Sequence, residues 1–201
     1  ITTLGLLMDS SVVVIGGMLV APLLFPILSI GMGIATSSQD AIIRALAIVG
    51  KSVLVVFLFS FLLSFLLNGP AITDTMQVAS QATISHFLIA FVAGIVASFA
   101  WAKQDINATL PSIAVSVSLI PPLAVFGIGI SMFEKALTSG AMFLFIINLL
   151  GIVLASVIVF SLFGFSNMHI VQEKLVEEER RQKEEEQRRR KQQEEQSGEE
   201  V

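Results

Sequence analysis

Few side chains in the apolar part of this chain could take part in chemistry, and most of the candidates are uncharged. Asn148 lies near the centre of a long apolar segment. There an amide most often forms a hydrogen bond between helices, and the alternative is that it lines a pore or a solute site. Ser112, Ser116 and Ser118 come shortly before a Pro-Pro pair. Their hydroxyls can bond to a backbone carbonyl four residues earlier or to a solute. These four residues are candidates for a solute or permeation site.

Lys51 is a candidate intramembrane charge, because it lies about ten residues into a second apolar segment. A charged group at that depth is costly in hydrocarbon and indicates a polar path or a partner. The alternative, which we favour, is that residues 40–50 are interfacial and that the lysine reaches the lipid headgroups through its flexible stem.

The chain contains none of the sequence motifs HExxH, G-x-S-x-G or the P-loop. Hydrolysis inside a membrane would need paired carboxylates, or a serine with a base, within spanning segments. The aspartates are instead typical of loops and helix caps: Asp9, Asp40, Asp74 and Asp105. Cysteine is absent, which excludes disulfides and thiolate metal sites. We therefore expect no enzymatic activity, no cofactor and no metal site.

The composition indicates an integral membrane protein. Of 201 residues, 54% are hydrophobic, and the mean hydropathy is +0.84. Residues 1–170 carry only four basic and five acidic side chains, far below the roughly 25% of charged residues in soluble domains. No basic surface indicates a nucleic-acid partner, so the expected surroundings are membrane lipids.

The apolar pattern predicts an all-α, polytopic transmembrane bundle at residues 1–166. The chain begins with isoleucine, and residues 1–8 suit the end of a helix whose start is missing. Five spans follow, and the 24 residues of the first are long enough to cross a hydrocarbon core of about 30 Å. Their predicted bounds are about 12–35, 41–67, 86–102, 111–132 and 137–165.

Basic residues in short loops predict the orientation. If the spans alternate, Arg44, Lys103 and the tail lie on one side, and only Lys135 lies on the other. The positive-inside rule then places the C-terminus in the cytoplasm. The predicted location of the protein is the inner membrane of the cell.

The tail, residues 167–201, is predicted to form a charged, solvent-exposed helix. Its glutamates precede arginines or lysines by four residues at five places, for example Glu177 and Arg181. Each such pair stabilises a helix by about 0.2–0.5 kcal/mol. The favoured interpretation is a solvated helical rod, and the alternative is a helix that docks a cytoplasmic protein partner or forms a bundle.

Prolines interrupt two of the predicted spans, at Pro22 and Pro26 and again at Pro121 and Pro122. Proline lacks the backbone N–H and clashes with the preceding turn, so each pair predicts a broken helix. In hydrocarbon the carbonyls freed by a break need another partner. A kink that serves only packing is the common role of a single proline, whereas two matched pairs could frame a site.

A shift of 100 residues places Pro22 over Pro122 and Ala41 over Ala141. Each half then consists of a broken apolar helix, a short polar turn and a long unbroken helix. Under the five-span count the two broken helices run in opposite directions, which predicts an inverted repeat of the kind found in transporters. If the broken segments are re-entrant hairpins, this parity does not hold.

Three segments resemble a known family: DSSVVVIGGMLVAPLLFPIL, SLIPPLAVFGIGI and INLLGI. Their order is similar to that of the uncharacterised hydrophobic family called domain of unknown function 389, over about residues 4–160. The resemblance implies a polytopic prokaryotic membrane protein and supplies no activity. Gly17, in the small-residue stretch of the first segment, and the charged tail depart from the family pattern.

The sequence thus predicts a homo-oligomeric membrane protein that moves a small solute or ion. The site would lie at the paired broken helices, with Asn148 and the three serines as polar groups. A passive pore is at least as plausible as a coupled carrier, because no acidic residue is expected at mid-membrane. The alternative is a scaffold or signalling protein that uses its charged C-terminal helix to bind a partner.

Overall fold

The computed structural model describes residues 1–19, 24–67, 71–103 and 109–164, without the side chains of residues 109–112. These residues form helices and no strand, so the all-α prediction is confirmed. The helices are α1 (Thr2–Leu7), α2 (Ser11–Met18), α3 (Leu24–Ala35), α4 (Gln39–Leu66), α5 (Asp74–Val78), α6 (Ile84–Ala102), α7 (Thr109–Ser131) and α8 (Lys135–Leu162). The predicted tail helix, at 167–201, lies outside the described residues.

Within the described residues, four helices are long and apolar enough to cross a membrane: α4, α6, α7 from Ile113, and α8. The predicted first span at 12–35 is divided between α2 and the shorter apolar helix α3. Large apolar side chains are exposed along α4, including Ile43, Leu54 and Phe59. Such a surface is stable in lipid rather than in water. The five-span count stays a prediction.

Helix α7 lies at the centre of the bundle and packs against α4, α6 and α8. Within its most apolar stretch 72% of residues are buried, against 11% for α4. Leu119, Leu123 and Ile128 are fully buried on it. The second predicted broken helix is therefore the core helix of the described chain.

The predicted break at Pro121 and Pro122 is wrong, because α7 is helical through both prolines. In an α-helix the N–H of residue 122 bonds to the carbonyl of Ser118, and proline cannot supply that bond. The side chain of Asn148, on α8, donates to the Ser118 carbonyl instead, at 2.8 Å. A neighbouring helix thus replaces the missing donor, and the backbone need not open.

The first proline pair has a different setting. Pro22 lies outside the described residues. Pro26 is the third residue of α3 and is half-buried. The first turn of a helix tolerates proline, since its N–H groups have no partner within the helix. Pro26 therefore fits a helix beginning rather than an interrupted helix interior.

Two helical hairpins, α3–α4 and α7–α8, have the same backbone pattern at an offset of 96 residues. Ser38 N–H donates to the Gly33 carbonyl at 2.9 Å, and Glu134 N–H donates to the Gly129 carbonyl at 3.0 Å. The residue just before each donor has a positive φ, which is 54° for Ser37 and 58° for Phe133. This is a Schellman-type helix end. Helices α4 and α8 then begin at equivalent positions and both contain 28 residues.

The packing between the hairpins repeats at the same offset. A β carbon added at Gly31, on α3, would collide with Ser156 on α8, and one added at Gly127, on α7, would lie 2.8 Å from Ser60 Cβ on α4. Ser60 and Ser156 are both fully buried. Each hairpin thus places a glycine against a serine of the other. These turns and contacts match at an offset of 96 residues rather than the predicted 100, which aligns Pro26 rather than Pro22 with Pro122. The repeat itself stays a prediction.

The order of the helices along the chain places their ends at two opposite faces of the bundle. The α1–α2 turn, α5 and the α7–α8 turn share one face, called here the α5 face. A β carbon at Gly140 near the start of α8 would contact the Ser80 carbonyl just after α5. The α3–α4 turn and the last turns of α6 and α8 lie at the opposite face, where the rings of Trp101 and Phe160 meet at 5.5 Å.

Candidate functional site

Asn148 is the best-defined polar group inside the bundle. It lies at the middle of α8, and its side chain is only 2% exposed. Its Nδ2 donates to the Ser118 carbonyl that Pro122 leaves without a helical partner. Because a carbonyl can only accept, this bond fixes the amide with nitrogen toward α7 and oxygen away from it.

The oxygen of that amide has no partner within the described residues. Asn148 Oδ1 is buried and accepts no hydrogen bond there. A buried acceptor without a partner costs about 1–3 kcal/mol relative to its solvated state. Such a group is uncommon in a packed interior.

A cavity of about 530 Å³ reaches this amide from the α5 face. Its inner end is formed by α7 and α8, through Val117, Ser118, Pro121, Pro122, Leu144 and Asn148. Its outer end carries the polar side chains of Ser11, Asp74, Thr75 and His86. Apolar residues of α1, α2, α5 and α6 form the wall between the two ends. The cavity is therefore an apolar passage with polar groups at both ends.

Hydrogen bonds to the α1–α2 turn hold α5 across the outer end of the cavity. Asp9 Oδ1 accepts from the backbone N–H of Thr75 at 3.0 Å and from its hydroxyl at 2.9 Å. The hydroxyl of Thr73 donates to the carbonyl of Leu6 at 2.9 Å. On the start of α6, His86 Nδ1 lies 2.7 Å from the Thr83 hydroxyl. These bonds fix the shape of the entrance.

The structure brings together four of the residues predicted for the site: Ser118, Pro121, Pro122 and Asn148. The Ser118 hydroxyl donates to the Ala114 carbonyl at 3.2 Å, so its side chain is bonded within α7.

The other predicted residues lie elsewhere or outside the description. Ser116 is buried in α7, Pro26 begins α3, and neither is among the described residues that line the cavity. The side chain of Ser112 and the whole of Pro22 lie outside the described residues. Lys51 is exposed on α4, away from the cavity wall.

Sequence reasoning did not foresee the outer end of the cavity. The sequence predicts a loop or helix cap at Asp74 and a span that begins at residue 86. The pairing of Thr75 with Asp9 spans 66 residues and leaves no local pattern in the sequence. Among the described residues, His, Asp and Glu form no cluster of three that could hold a metal ion.

The helices and the cavity define a class: a multi-pass helical membrane protein with a buried amide at the inner end of an apolar cavity. The chain belongs to the family described as Domain of unknown function (DUF389), which matches residues 18–154. The resemblance drawn from the sequence motifs is thereby confirmed.

One relative is a protein of Methanocaldococcus jannaschii named Uncharacterized protein MJ0678. It is 28% identical over 166 residues, which cover 81% of this chain and 50% of the relative. The chain thus spans about half the length of the curated relative it matches. No solved structure matches the chain.

Proposed function

We propose that this protein provides a pathway for a small solute or ion across the membrane, with the cavity between α7 and α8 as its binding site. The observation that carries the proposal is the apolar cavity of about 530 Å³, whose lining includes the buried Asn148 at mid-bundle and polar side chains at the outer end. Polar groups inside membrane bundles are costly, and besides bonding between helices they can line a solute pathway.

The two matched hairpins support the same proposal. Helices α3 and α7 each end in the same turn but at opposite faces, so we infer that α3–α4 and α7–α8 are inverted repeats at an offset of 96 residues. Inverted repeats build many transporters, with the solute site near mid-membrane between the halves. Asn148 at the middle of α8 suits that position.

The charges around the cavity favour movement that is not coupled to a carboxylate. Asp74 is the carboxylate among the described residues that line the cavity, and it lies at the outer end, exposed. The described inner end has neutral side chains only. We therefore propose passive movement through the site.

Purified full-length chain in liposomes tests the proposal. The measurements are stopped-flow light scattering for urea and propane-1,2-diol, and ion flux for K⁺ and Cl⁻. The chain offers a matched pair of blocking variants in α6: Ile89 lines the cavity, whereas its neighbour Leu88 is exposed and is not among the lining residues. We expect flux above that of empty liposomes, abolished by Ile89→Trp and retained by Leu88→Trp.

The proposal fails if no solute in this panel moves faster than through empty liposomes. It also fails if Ile89→Trp and Leu88→Trp have equal effects on the flux, since transport would then bypass the cavity. Both positions are more than half exposed, so a tryptophan can be placed there without opening the core.

The scaffold alternative depends on residues 167–201, which lie outside the described residues. Deletion of residues 172–201 separates the two functions. The pathway proposal predicts that liposome flux survives the deletion, because no described cavity residue is removed. Loss of a defined protein partner, together with absence of flux in the full chain, would support the scaffold.

A further inference from the structure

We propose that α4 carries a binding site for an anionic phospholipid, in which Arg44 and Lys51 hold the headgroup phosphate and an apolar surface beyond them holds an acyl chain. Both cations are exposed, and neither is among the described residues that line the cavity. The site therefore goes beyond the proposed function and does not depend on it.

One exposed stripe of side chains runs along α4 and begins with the two cations. Arg44 and Lys51 are seven residues apart, about two turns of helix, and therefore share a face. Five apolar residues continue the same spacing of three or four positions, and each is half exposed or more: Ile48, Val55, Leu58, Leu62 and Phe65. We call these seven residues the α4 stripe. It is charged at one end and apolar over the rest, which is the pattern that a phospholipid matches.

The depth of Lys51 in the membrane requires an opposite charge. Helix α4 has 28 residues, or about 42 Å, which matches a bilayer of about 40–45 Å with its headgroups. Lys51 then lies about 10 Å deeper than Arg44. The Cα–Cβ bonds of a helix tilt toward its N-terminus, so the flexible stem of Lys51 leads its ammonium back toward Arg44 and the headgroups. A cation at this boundary is costly unless an anion meets it.

The described part of the chain supplies no such anion. Neither Arg44 nor Lys51 has an ion pair or a side-chain hydrogen bond within it. Asp40, in the first turn of α4, precedes Lys51 by about 16 Å along the helix axis. The other described carboxylates lie at the opposite, α5 face: Asp9, Asp74 and Glu134. The phosphate of a lipid is the anion that the surroundings provide. Two cations against one phosphate leave an excess of positive charge, which favours a headgroup of net negative charge over a zwitterionic one.

A second copy of the chain fits the α4 stripe less well than a lipid does. Copies in one membrane share their orientation, so a two-fold axis beside α4 places each residue of the stripe opposite itself. Lys51 would then face a second Lys51 in hydrocarbon, with no described carboxylate at that depth to separate them. A lipid brings the opposite charge and an apolar chain together.

The experiment measures which lipid contacts the α4 stripe. Because the chain has no cysteine, Val55→Cys on the stripe and Leu150→Cys on α8 can each carry a single bimane label. The two native side chains are 52% and 53% exposed, and the basic residue of α8, Lys135, is about 22 Å from Leu150 along the axis. The labelled full chain is reconstituted in mixed bilayers in which either phosphatidylglycerol or phosphatidylcholine has brominated acyl chains. Bromine quenches a label that its lipid touches, so the two quenching curves give the relative binding constant. We expect a preference for phosphatidylglycerol of about twentyfold at Val55 and of at most about twofold at Leu150.

Charge variants in the Val55→Cys chain assign the preference to the two cations. Arg44→Gln and Lys51→Gln should each lower it about fivefold, and the double variant should abolish it. Lys51→Arg keeps the charge and should keep the preference. Lys135→Gln, at the α5 face, is the matched control and should leave it unchanged. Both cations are exposed, so we expect these variants to fold with the unfolding midpoint of the native chain.

Equal preferences at Val55 and Leu150 would overturn the proposal. So would a preference at Val55 that survives in the folded double variant. Protection of the Val55 label from both brominated lipids would show that protein covers the α4 stripe, which also overturns it. A disulfide between two Val55→Cys chains would then identify that protein as a second copy.

Discussion

At the scale of single residues, the centre of the bundle shows how a proline pair can be kept inside a membrane helix. Pro122 removes a donor, Ser118 keeps an acceptor, and Asn148 closes the gap from the next helix. In lipid such a replacement is required, because no water is present to satisfy the carbonyl. The replacement in turn commits the nitrogen of the amide, while its oxygen is buried without a partner among the described residues.

Stability measurements on Asn148 and Pro122 test this exchange. Asn148→Leu leaves the Ser118 carbonyl unpaired, so we expect the free energy of unfolding to fall by about 1–2 kcal/mol. In the Pro122→Ala background the same substitution should cost about 1 kcal/mol less, because the helix supplies its own donor. Thermal or denaturant unfolding in micelles gives all four values. Additive effects of the two substitutions would contradict the shared carbonyl.

The sequence was informative about the inner end of the site and uninformative about the outer end. Asn148 and the Pro-Pro pair could be found because a polar residue and a helix breaker are conspicuous in apolar segments. The helical path through Pro121 and Pro122 could not be predicted, since it depends on a donor 30 residues away. Nor could the sequence place Lys51 outside the cavity. Helix α4 carries apolar residues on all of its sides, so its sequence does not show which side is buried.

At the scale of helices, the repeat stays a prediction, and the matching turns align the two hairpins at an offset of 96 residues rather than the predicted 100. Aligning Pro22 with Pro122 maximised one visible match within apolar sequence, where chance identities are common. The two turns align the hairpins differently. Their equivalent hydrogen bonds, from Ser38 to Gly33 and from Glu134 to Gly129, match at an offset of 96 residues and not at 100. The offset between the two hairpins can therefore be derived from their backbone hydrogen bonds and not from side-chain identity.

Close packing of the two hairpins predicts strong effects at the repeated glycines. Gly127→Ala should lower stability by about 1–3 kcal/mol, since the new β carbon would meet Ser60 and the Phe57 carbonyl at 2.8 and 2.9 Å. Gly50→Ala, on α4, is the matched control, because nothing lies within 4 Å of its β position. There alanine should be neutral or stabilising by up to about 1 kcal/mol. Unfolding midpoints in micelles check both, and equal effects would contradict the contact.

The bonds of Asp9 to Thr75 predict that the α1–α2 turn restrains α5. Asp9 has a φ of 52°, so glycine removes the side chain without straining the backbone. Asp9→Gly should speed amide hydrogen exchange in residues 74–79 about tenfold, through loss of about 1 kcal/mol of local stability. Ser37→Gly, at a φ of 54° in the opposite face, should leave that exchange unchanged. Equal exchange in both variants would show that Thr73 holds α5 without Asp9.

At the scale of the whole molecule, the burial pattern is that of a protein in lipid. The central helix α7 is apolar on all sides and buried, whereas α4 and α6 expose large apolar residues outward. Among the described residues, the outer end of the cavity lies at the α5 face. Because the basic residues Arg44 and Lys103 lie toward the other face, the positive-inside rule predicts that the cavity opens away from the cytoplasm.

Single cysteines test both the inverted hairpins and the orientation, because the chain has no cysteine of its own. Ser37 and Phe133 occupy the equivalent turns, both exposed, and Val78 lies at the outer end of the cavity. In intact cells an impermeant maleimide should label Phe133→Cys and Val78→Cys, and should label Ser37→Cys only after permeabilisation. Labelling of both turns from the same side would contradict the inverted hairpins. Labelling of Ser37→Cys alone would retain them and reverse the orientation, placing the cavity toward the cytoplasm.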